Sequence, residues 1–233
     1  MTSAVIEKED NDSSLMKIVQ AIAISPEDAR MVVKQYENQL RADRPNLSDT
    51  QIRDLVLDKI VDRYSKLAAT SGGATALAGV IPGIGTAVAM VGGGVADVSA
   101  CIKFQVDMSM CLAVAMNKSL NNEDAKHLSF LIALYGSLEQ AATAGTTRIA
   151  SKAGVKLLEQ HLKGTALAVI KQLFAKVGIV FARSAAAKAI PFGVGVAVGA
   201  TANYALTRYI GKSAIGFLRI QAGEDIEADK QAA

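Results

Sequence analysis

The sequence has no tryptophan, only two cysteines and few aromatic residues, and these shortages exclude whole classes of protein. Two cysteines cannot build the disulfide framework of a small secreted domain. Charged residues are also scarce, at 20%, against 51% hydrophobic residues, which excludes intrinsic disorder over most of the chain. The first eleven residues are acidic and polar, without the basic-then-apolar order of a secretory signal. We therefore expect a cytoplasmic protein whose Cys101 and Cys111 are reduced and buried.

Strand-like alternation is nearly absent, and apolar residues recur instead at helical spacing. Ser25 followed by Pro26 is typical of a helix start, because the serine can cap and the proline lies where no N–H is needed. The stretch from Ser48 to Gln51 matches a capping box, in which the two side chains bond each other's backbone N–H groups. The pattern predicts an all-α helical bundle of seven to nine helices, with polar helices in residues 1–65 forming a first unit.

Charge is missing altogether from two runs, residues 67–96 and 189–207. The first run exceeds the roughly 20 residues that span a bilayer, but a motif around Pro82 should break it into halves too short to span. The second run opens with a similar motif around Pro191, and a separate final helix is expected over residues 208–220. We therefore predict an apolar helical domain, residues 66–222, with two Pro/Gly-broken helical hairpins at its centre, followed by an acidic tail, residues 223–233.

Acidic residues are nearly missing from residues 148–222, which hold eleven lysines and arginines but a single acid, Glu159. Because this stretch is also strongly apolar, its charge is more typical of a protein that docks on anionic lipid than of one that binds nucleic acid. A helix beginning at Arg148 would place four cations within an arc of about 80°. These predicted membrane-binding residues are Arg148, Lys152, Lys156 and Lys163. The alternative is a helical core whose lysines only extend into solvent.

Three polar residues in apolar surroundings are predicted to be buried: Asp97, Gln105 and Asn203. An ionised carboxylate in such surroundings needs a partner. We therefore expect the two apolar runs to pack on each other, with Asp97 and Asn203 meeting or sharing a polar pocket. Such a contact can fix the register of the helices. If the runs lie in lipid, a functional role gains weight, because ionisable groups are costly there.

Residues for catalysis, metal binding or nucleotide binding are few. His127 and His161 are the only histidines, and neither has further ligands at metal-binding spacing. The triplet Gly211-Lys212-Ser213 lacks the earlier glycine of a phosphate-binding loop, since position 206 is leucine. No Gly-x-Ser-x-Gly elbow is present. We expect no enzymatic activity, no catalytic residue, no metal and no cofactor, and no nucleic acid partner, because no recognised reading motif accompanies the basic residues.

The two Pro/Gly motifs resemble those of the EcsC protein family. The first block runs from Pro82 through Asp97 to Gln105, and the second runs from Pro191 to Asn203-Tyr204. The similarity covers about residues 66–218, and Phe192 adds one residue to the second motif. The resemblance implies a bacterial, mostly helical protein without an agreed biochemical activity. The residues that carry the two motifs are Pro82, Gly83, Gly85, Pro191, Gly193 and Gly195.

The charge pattern and the resemblance together favour a non-enzymatic, membrane-associated accessory protein. We expect it in the bacterial cytoplasm, peripheral to the inner membrane or partly inserted in it. Its expected partner is anionic membrane lipid, with a protein partner at the membrane as a further expectation. Two alternatives stay open, a soluble helical carrier of a lipid or other apolar ligand and a pore-forming hairpin protein. No pattern in the sequence indicates an oligomeric state.

Overall fold

A computed structural model of the protein describes residues 15–70, 93–141, 148–187 and 194–224. These residues form eight helices and no strand, which confirms the predicted all-α fold. In chain order the helices are α1 (15–22), α2 (Pro26–Asp43), α3 (Asp49–Thr70), α4 (Gly93–Met116), α5 (Asn122–Ala141), α6 (Lys152–Leu162), α7 (Ala166–Ala187) and α8 (Val194–Gln221).

Two predicted helix starts have the expected capping bonds. The Ser25 side chain accepts the backbone N–H of Asp28, and Pro26 occupies the first turn of α2. At α3 the Ser48 N–H donates to the Gln51 side chain at 3.0 Å, and the Gln51 N–H donates to the Ser48 hydroxyl at 3.3 Å. Each bond satisfies a backbone donor that a helix N-terminus leaves without an intrahelical partner.

Helix α4 lies at the centre of the bundle, in contact with α2, α3, α5, α7 and α8. Its Phe104, Met108 and Leu112 are fully buried in the core. Within the described residues, the segment Val98–Met116 is the one stretch long and apolar enough to cross a membrane, but 94% of it is buried inside the bundle. The core helix of a bundle passes the same test of length and composition, because it too is surrounded by apolar groups.

Helices α3 and α8 pack antiparallel along one side of α4. At their closest approach, a Cβ placed on Gly211 of α8 would lie 2.8 Å from a methyl group of Val61 on α3. A glycine is needed there because any side chain would push the two backbones apart. Further along the pair, the Arg53 guanidinium binds Glu224 at 2.7 Å.

The structure changes two of the predicted boundaries. The division after residue 65 falls inside α3, and residues on both sides of it share one hydrophobic core. The separate helix predicted over 208–220 is the second half of α8, which is continuous from Val194 to Gln221. The motif residue Gly195 lies in the first turn of that helix. The others, Pro82, Gly83, Gly85, Pro191 and Gly193, lie outside the described residues, as do the hairpin breaks predicted around them.

Candidate functional site

The predicted membrane-binding residues lie at and around α6, but the helix begins later than expected. Ser151 caps α6 by accepting the Gly154 N–H at 3.0 Å, so the first helical residue is Lys152 and Arg148 precedes the helix. Arg148 therefore does not belong to the helical stripe. Lys152 and Lys156 of α6 and the C-cap residue Lys163, whose backbone is also in the right-handed helical region, fall within an arc of about 40° at 100° per residue. All four cations are exposed.

The start of α6 is held by contacts to α5 and α8. One carboxylate oxygen of Glu139 accepts the Ile149 N–H at 3.0 Å, and the other accepts the Tyr209 hydroxyl at 2.7 Å. Burial and the bond to Glu139 raise the pKa of Tyr209, so its hydroxyl stays a donor at neutral pH. A Cβ on Gly154 would lie 2.3 Å from the Arg148 carbonyl oxygen, so the turn closes only on a glycine. The basic side chains thus extend from a firmly packed element.

Two more exposed lysines follow on α7, Lys171 and Lys176. Sequence reasoning included them in the charge total but did not single them out, because they do not continue the stripe of α6. We define the basic segment as Arg148, Lys152, Lys156, Lys163, Lys171 and Lys176. Within the part of the chain that the structure describes, none of these six makes an ion pair. The one acid between residues 148 and 187, Glu159, accepts a hydrogen bond from Gln221.

Ion pairs are concentrated in and around α2 and α3. There, acidic side chains lie within 4 Å of the cations on the same or a neighbouring element. They include Arg41–Asp49 at 2.7 Å, Lys66–Asp62 at 2.6 Å, Lys118–Glu37 at 2.8 Å, Arg53–Glu224 at 2.7 Å and Arg219–Asp54 at 3.3 Å.

Of the three polar residues predicted to be buried, Gln105 lies fully inside the bundle. Its side-chain oxygen accepts the Ser137 hydroxyl at 2.9 Å, which links α4 to α5. Asn203 is half-buried on α8 and has an interaction partner. Asp97 belongs to α4, but its side chain lies outside the described residues. The pairing of Asp97 with Asn203 therefore stays a prediction.

A second buried polar group on α4 was missed by sequence reasoning. Lys103 and Asp107 form an ion pair one helical turn apart, with side chains only 8% and 4% exposed. The other Asp107 oxygen accepts the Ile24 N–H at 2.8 Å, at the break between α1 and α2. Burial raises the pKa of Asp107, against the opposing effect of the Lys103 ammonium. The i, i+4 spacing of opposite charges was a visible signal, whereas the contact to Ile24 depends on the tertiary fold.

Both cysteines are buried free thiols, as predicted. The Cys111 sulfur lies 3.6 Å from the Tyr64 hydroxyl, and burial raises the pKa of the Cys111 thiol to about 12. A thiol that holds its proton at neutral pH is a poor nucleophile. Cys111 is therefore a packing residue of α4.

The two histidines take part in separate contacts. His161 of α6 lies 3.0 Å from the Tyr135 hydroxyl of α5, with the two rings nearly parallel and their centroids 6.0 Å apart. His127 borders a cavity of about 400 Å³ among α1, α5 and α7. No group of three histidine, cysteine or acidic side chains able to hold a metal ion occurs among the described residues.

The 400 Å³ cavity is open to solvent and has a mainly apolar floor. Phe130 and Ile170 are buried in that floor, while Leu167 at its edge is 48% exposed. Polar side chains surround this floor at the rim. They are Gln20, Asn122, Glu123, Lys126 and His127. The cavity is thus an open depression with both apolar and polar lining, and its Ile170 directly precedes Lys171 of the basic segment.

Comparisons with known proteins do not identify the chain: no protein-family model, no curated protein and no solved structure matches it significantly.

Proposed function

We propose that the protein is a non-enzymatic accessory protein that docks on an anionic membrane surface through the basic segment. The observation that supports this most strongly is a concentration of six exposed cations without an ion pair among the described residues. The one acid in that stretch of sequence, Glu159, is hydrogen-bonded to Gln221. Exposed cations without an internal ion pair are available to an external anion.

A bilayer fits these cations better than other anions. Each lysine or arginine near an anionic membrane contributes roughly 1 kcal/mol of binding free energy. The contribution falls off within a Debye length of about 8–10 Å, so exposed side chains on a surface helix are well placed to make it. Nucleic acid would also attract the charge, but no base-stacking array or reading motif accompanies it.

Docking from the surface agrees with the position of α4. Among the described residues, α4 is the one helix long and apolar enough to span a bilayer, and its neighbours enclose it, so spanning by this helix would require the bundle to open. A peripheral position at the cytoplasmic face of the inner membrane needs no such opening. A protein partner at that membrane is part of the same proposal.

Membership of the EcsC family is a second part of the proposal. It is supported by the Pro/Gly motifs at Pro82 and Pro191 and by the helical fold. The buried Gln105, which belongs to the first motif block, has a clear structural role in joining α4 to α5. If this chain belongs to the family, we expect other members that have a glutamine at the position of Gln105 to have a serine at the position of Ser137, because the serine hydroxyl donates to the glutamine.

The direct test is sedimentation with vesicles of phosphatidylcholine alone or with an equal part of phosphatidylglycerol. We expect binding only to the anionic vesicles and a steep loss of binding as salt is raised. Replacing Arg148, Lys152, Lys156 and Lys163 together by glutamine should weaken binding by roughly a thousandfold at low salt, from the sum of four contributions.

A matched control removes the same charge elsewhere. Lys17, Lys34, Arg44 and Lys59 are exposed on or next to α1, α2 and α3. The variant with glutamine at these four positions has the same net charge as the first variant. It should retain nearly all vesicle binding. Equal losses for the two variants would show a general charge effect and contradict docking through the basic segment.

The 400 Å³ cavity supports the alternative of a soluble carrier for a lipid or other apolar ligand. A carrier should retain its cargo during purification without detergent. Organic extraction of the purified protein, followed by mass spectrometry, would then find a stoichiometric lipid. Extraction of no lipid, together with vesicle binding, would favour docking. The pore-forming alternative depends on the Pro/Gly motifs outside the described residues, and release of a trapped dye from vesicles would reveal it.

A further inference from the structure

Two large apolar side chains are exposed in the part of the chain that the structure describes, and they lie in different surroundings. Met31 on α2 is 62% exposed and Leu167 on α7 is 48% exposed. Met31 follows Glu27 and Asp28 by about one helical turn and has one exposed lysine, Lys34, three residues after it. Leu167 instead has the exposed Lys171 one helical turn after it on α7, and the exposed Lys163 precedes it in the turn that leads into the helix.

The exposure of Leu167 departs from the pattern of its own helix. Helix α7 buries Ile170, Phe174 and Val177 where it packs along the bundle. Leu167 precedes Phe174 by seven residues, which places the two within about 20° on the helix, so the apolar stripe includes Leu167. It is half exposed because the 400 Å³ cavity lies beside it. The apolar face of α7 is thus uncovered at Leu167, while Ala166 and Ile170 beside it stay buried.

The surroundings of Leu167 match the chemistry of a membrane interface. Lysine side chains reach lipid headgroups through their long stems, while an apolar side chain between them enters the boundary with the acyl chains. Glu123 on the cavity rim opposes anionic lipid, but the rim also includes Lys126. Three exposed lysines, Lys126, Lys163 and Lys171, thus lie on the rim or within four residues of Leu167, against two acids, Glu123 on the rim and Glu27, which binds Asn122 of the rim.

We infer that Leu167 is the apolar contact of this protein with an anionic bilayer, entering between headgroups that Lys163 and Lys171 bind. This inference rests on the proposed docking function and adds to it the point of insertion. The basic residues draw the protein to the surface, and Leu167 adds a short-range contact that salt does not screen.

The absence of tryptophan allows a direct test, because one introduced tryptophan is the only such fluorophore in the protein. L167W should shift its emission to the blue when vesicles of phosphatidylcholine and phosphatidylglycerol are added, and lipids brominated near the headgroup should quench it. M31W is the matched control and should show neither change. Both positions are exposed enough to accept the larger side chain, and circular dichroism would check the fold.

Affinity measurements separate this contact from electrostatic attraction. L167S should weaken binding to the anionic vesicles about tenfold, the effect of losing one partly buried leucine. The salt dependence should stay as in the wild type, because no charge is lost. M31S should bind like the wild type, and K163Q with K171Q should lower the salt dependence.

The possible failures are distinguishable. If L167W sediments with anionic vesicles but neither shifts nor is quenched, insertion at Leu167 is overturned while docking stands. The same holds if L167S and M31S bind equally well. If the wild-type chain does not sediment with anionic vesicles at all, the docking function itself is overturned.

Discussion

The ion-paired cations around α2 and α3 and the cations of the basic segment are alike in type but differ in what they contact. In the first region, Arg41, Lys66 and Lys118 each lie within 3 Å of a carboxylate oxygen. In the second, six cations extend into solvent without such a partner among the described residues. An exposed ion pair stabilises a protein by about 0–1 kcal/mol, whereas an unpaired surface cation has no such role. The comparison points to a binding role for the second region.

The buried pair of Lys103 and Asp107 is a third case, in which removal of one partner is expected to cost the most stability. Both side chains are almost fully buried, so water cannot replace one partner if it is lost. Breaking a buried pair by removing one partner is therefore much more damaging than breaking an exposed pair. Cations in exposed ion pairs, exposed cations without an ion pair and the buried Lys103 are thus expected to differ in how much stability is lost when they or their partners are replaced.

The largest effect is expected at Asp107. D107A leaves the Lys103 ammonium buried without a carboxylate and also removes the acceptor of the Ile24 N–H. The free energy of unfolding should fall by about 3–5 kcal/mol, as measured by urea denaturation. D62A, which breaks the exposed pair with Lys66, should cost below about 1 kcal/mol. Similar losses for the two variants would contradict the distinction between buried and exposed pairs.

A smaller effect is expected at Gly154, where the start of α6 closes against the backbone of Arg148 and Ile149. G154A forces this turn apart and should destabilise the protein by about 1–3 kcal/mol. It should also weaken vesicle binding, although no charge changes, because the lysines of α6 lose their fixed position. Gly164 is the control, since a Cβ there meets nothing within 4 Å. If G154A binds vesicles like the wild type, the placement of α6 is irrelevant to docking.

The smallest effect on stability is expected from the basic segment itself. The variant with glutamine at Arg148, Lys152, Lys156 and Lys163 should unfold within about 0.5 kcal/mol of the wild type, because these side chains have no ion pair to lose. The same protein should show the largest loss of vesicle binding. A clear loss of stability in urea would instead reveal internal contacts and place these residues with the cations of α2 and α3.

Local features of the fold were predictable from the sequence. The caps at Ser25 and Ser48 involve residues at most three positions apart, so the sequence contains both partners of each bond. The cap at Ser151 is equally local, and the error over Arg148 came from extending a charge stripe past it. The predicted boundary after residue 65 failed for another reason. A change in composition does not separate two domains when both sides contribute to one core.

The candidate site was predictable only in part. The excess of lysine and arginine in residues 148–222 is visible in the sequence, and so is the opposite charge of Lys103 and Asp107 one turn apart. Helical spacing would bury Leu167 with Phe174, yet the structure leaves it half exposed beside the cavity. The spacing of apolar residues predicts which face of a helix is apolar. Which residues of that face are buried depends on where the neighbouring helices contact it.

The sequence by itself determined that this chain is helical, that two of its helices begin after the caps at Ser25 and Ser48, and that its positive charge gathers after residue 148. These properties depend on contacts within a few residues, which the order of the side chains already contains. The tertiary structure alone decided which charges find partners far away along the chain. Asp107 accepts a backbone N–H 83 positions away, and Arg53 binds a carboxylate 171 positions away. Such distant groups meet only when the packing of the core brings their helices together, and the same packing leaves the basic segment facing outward.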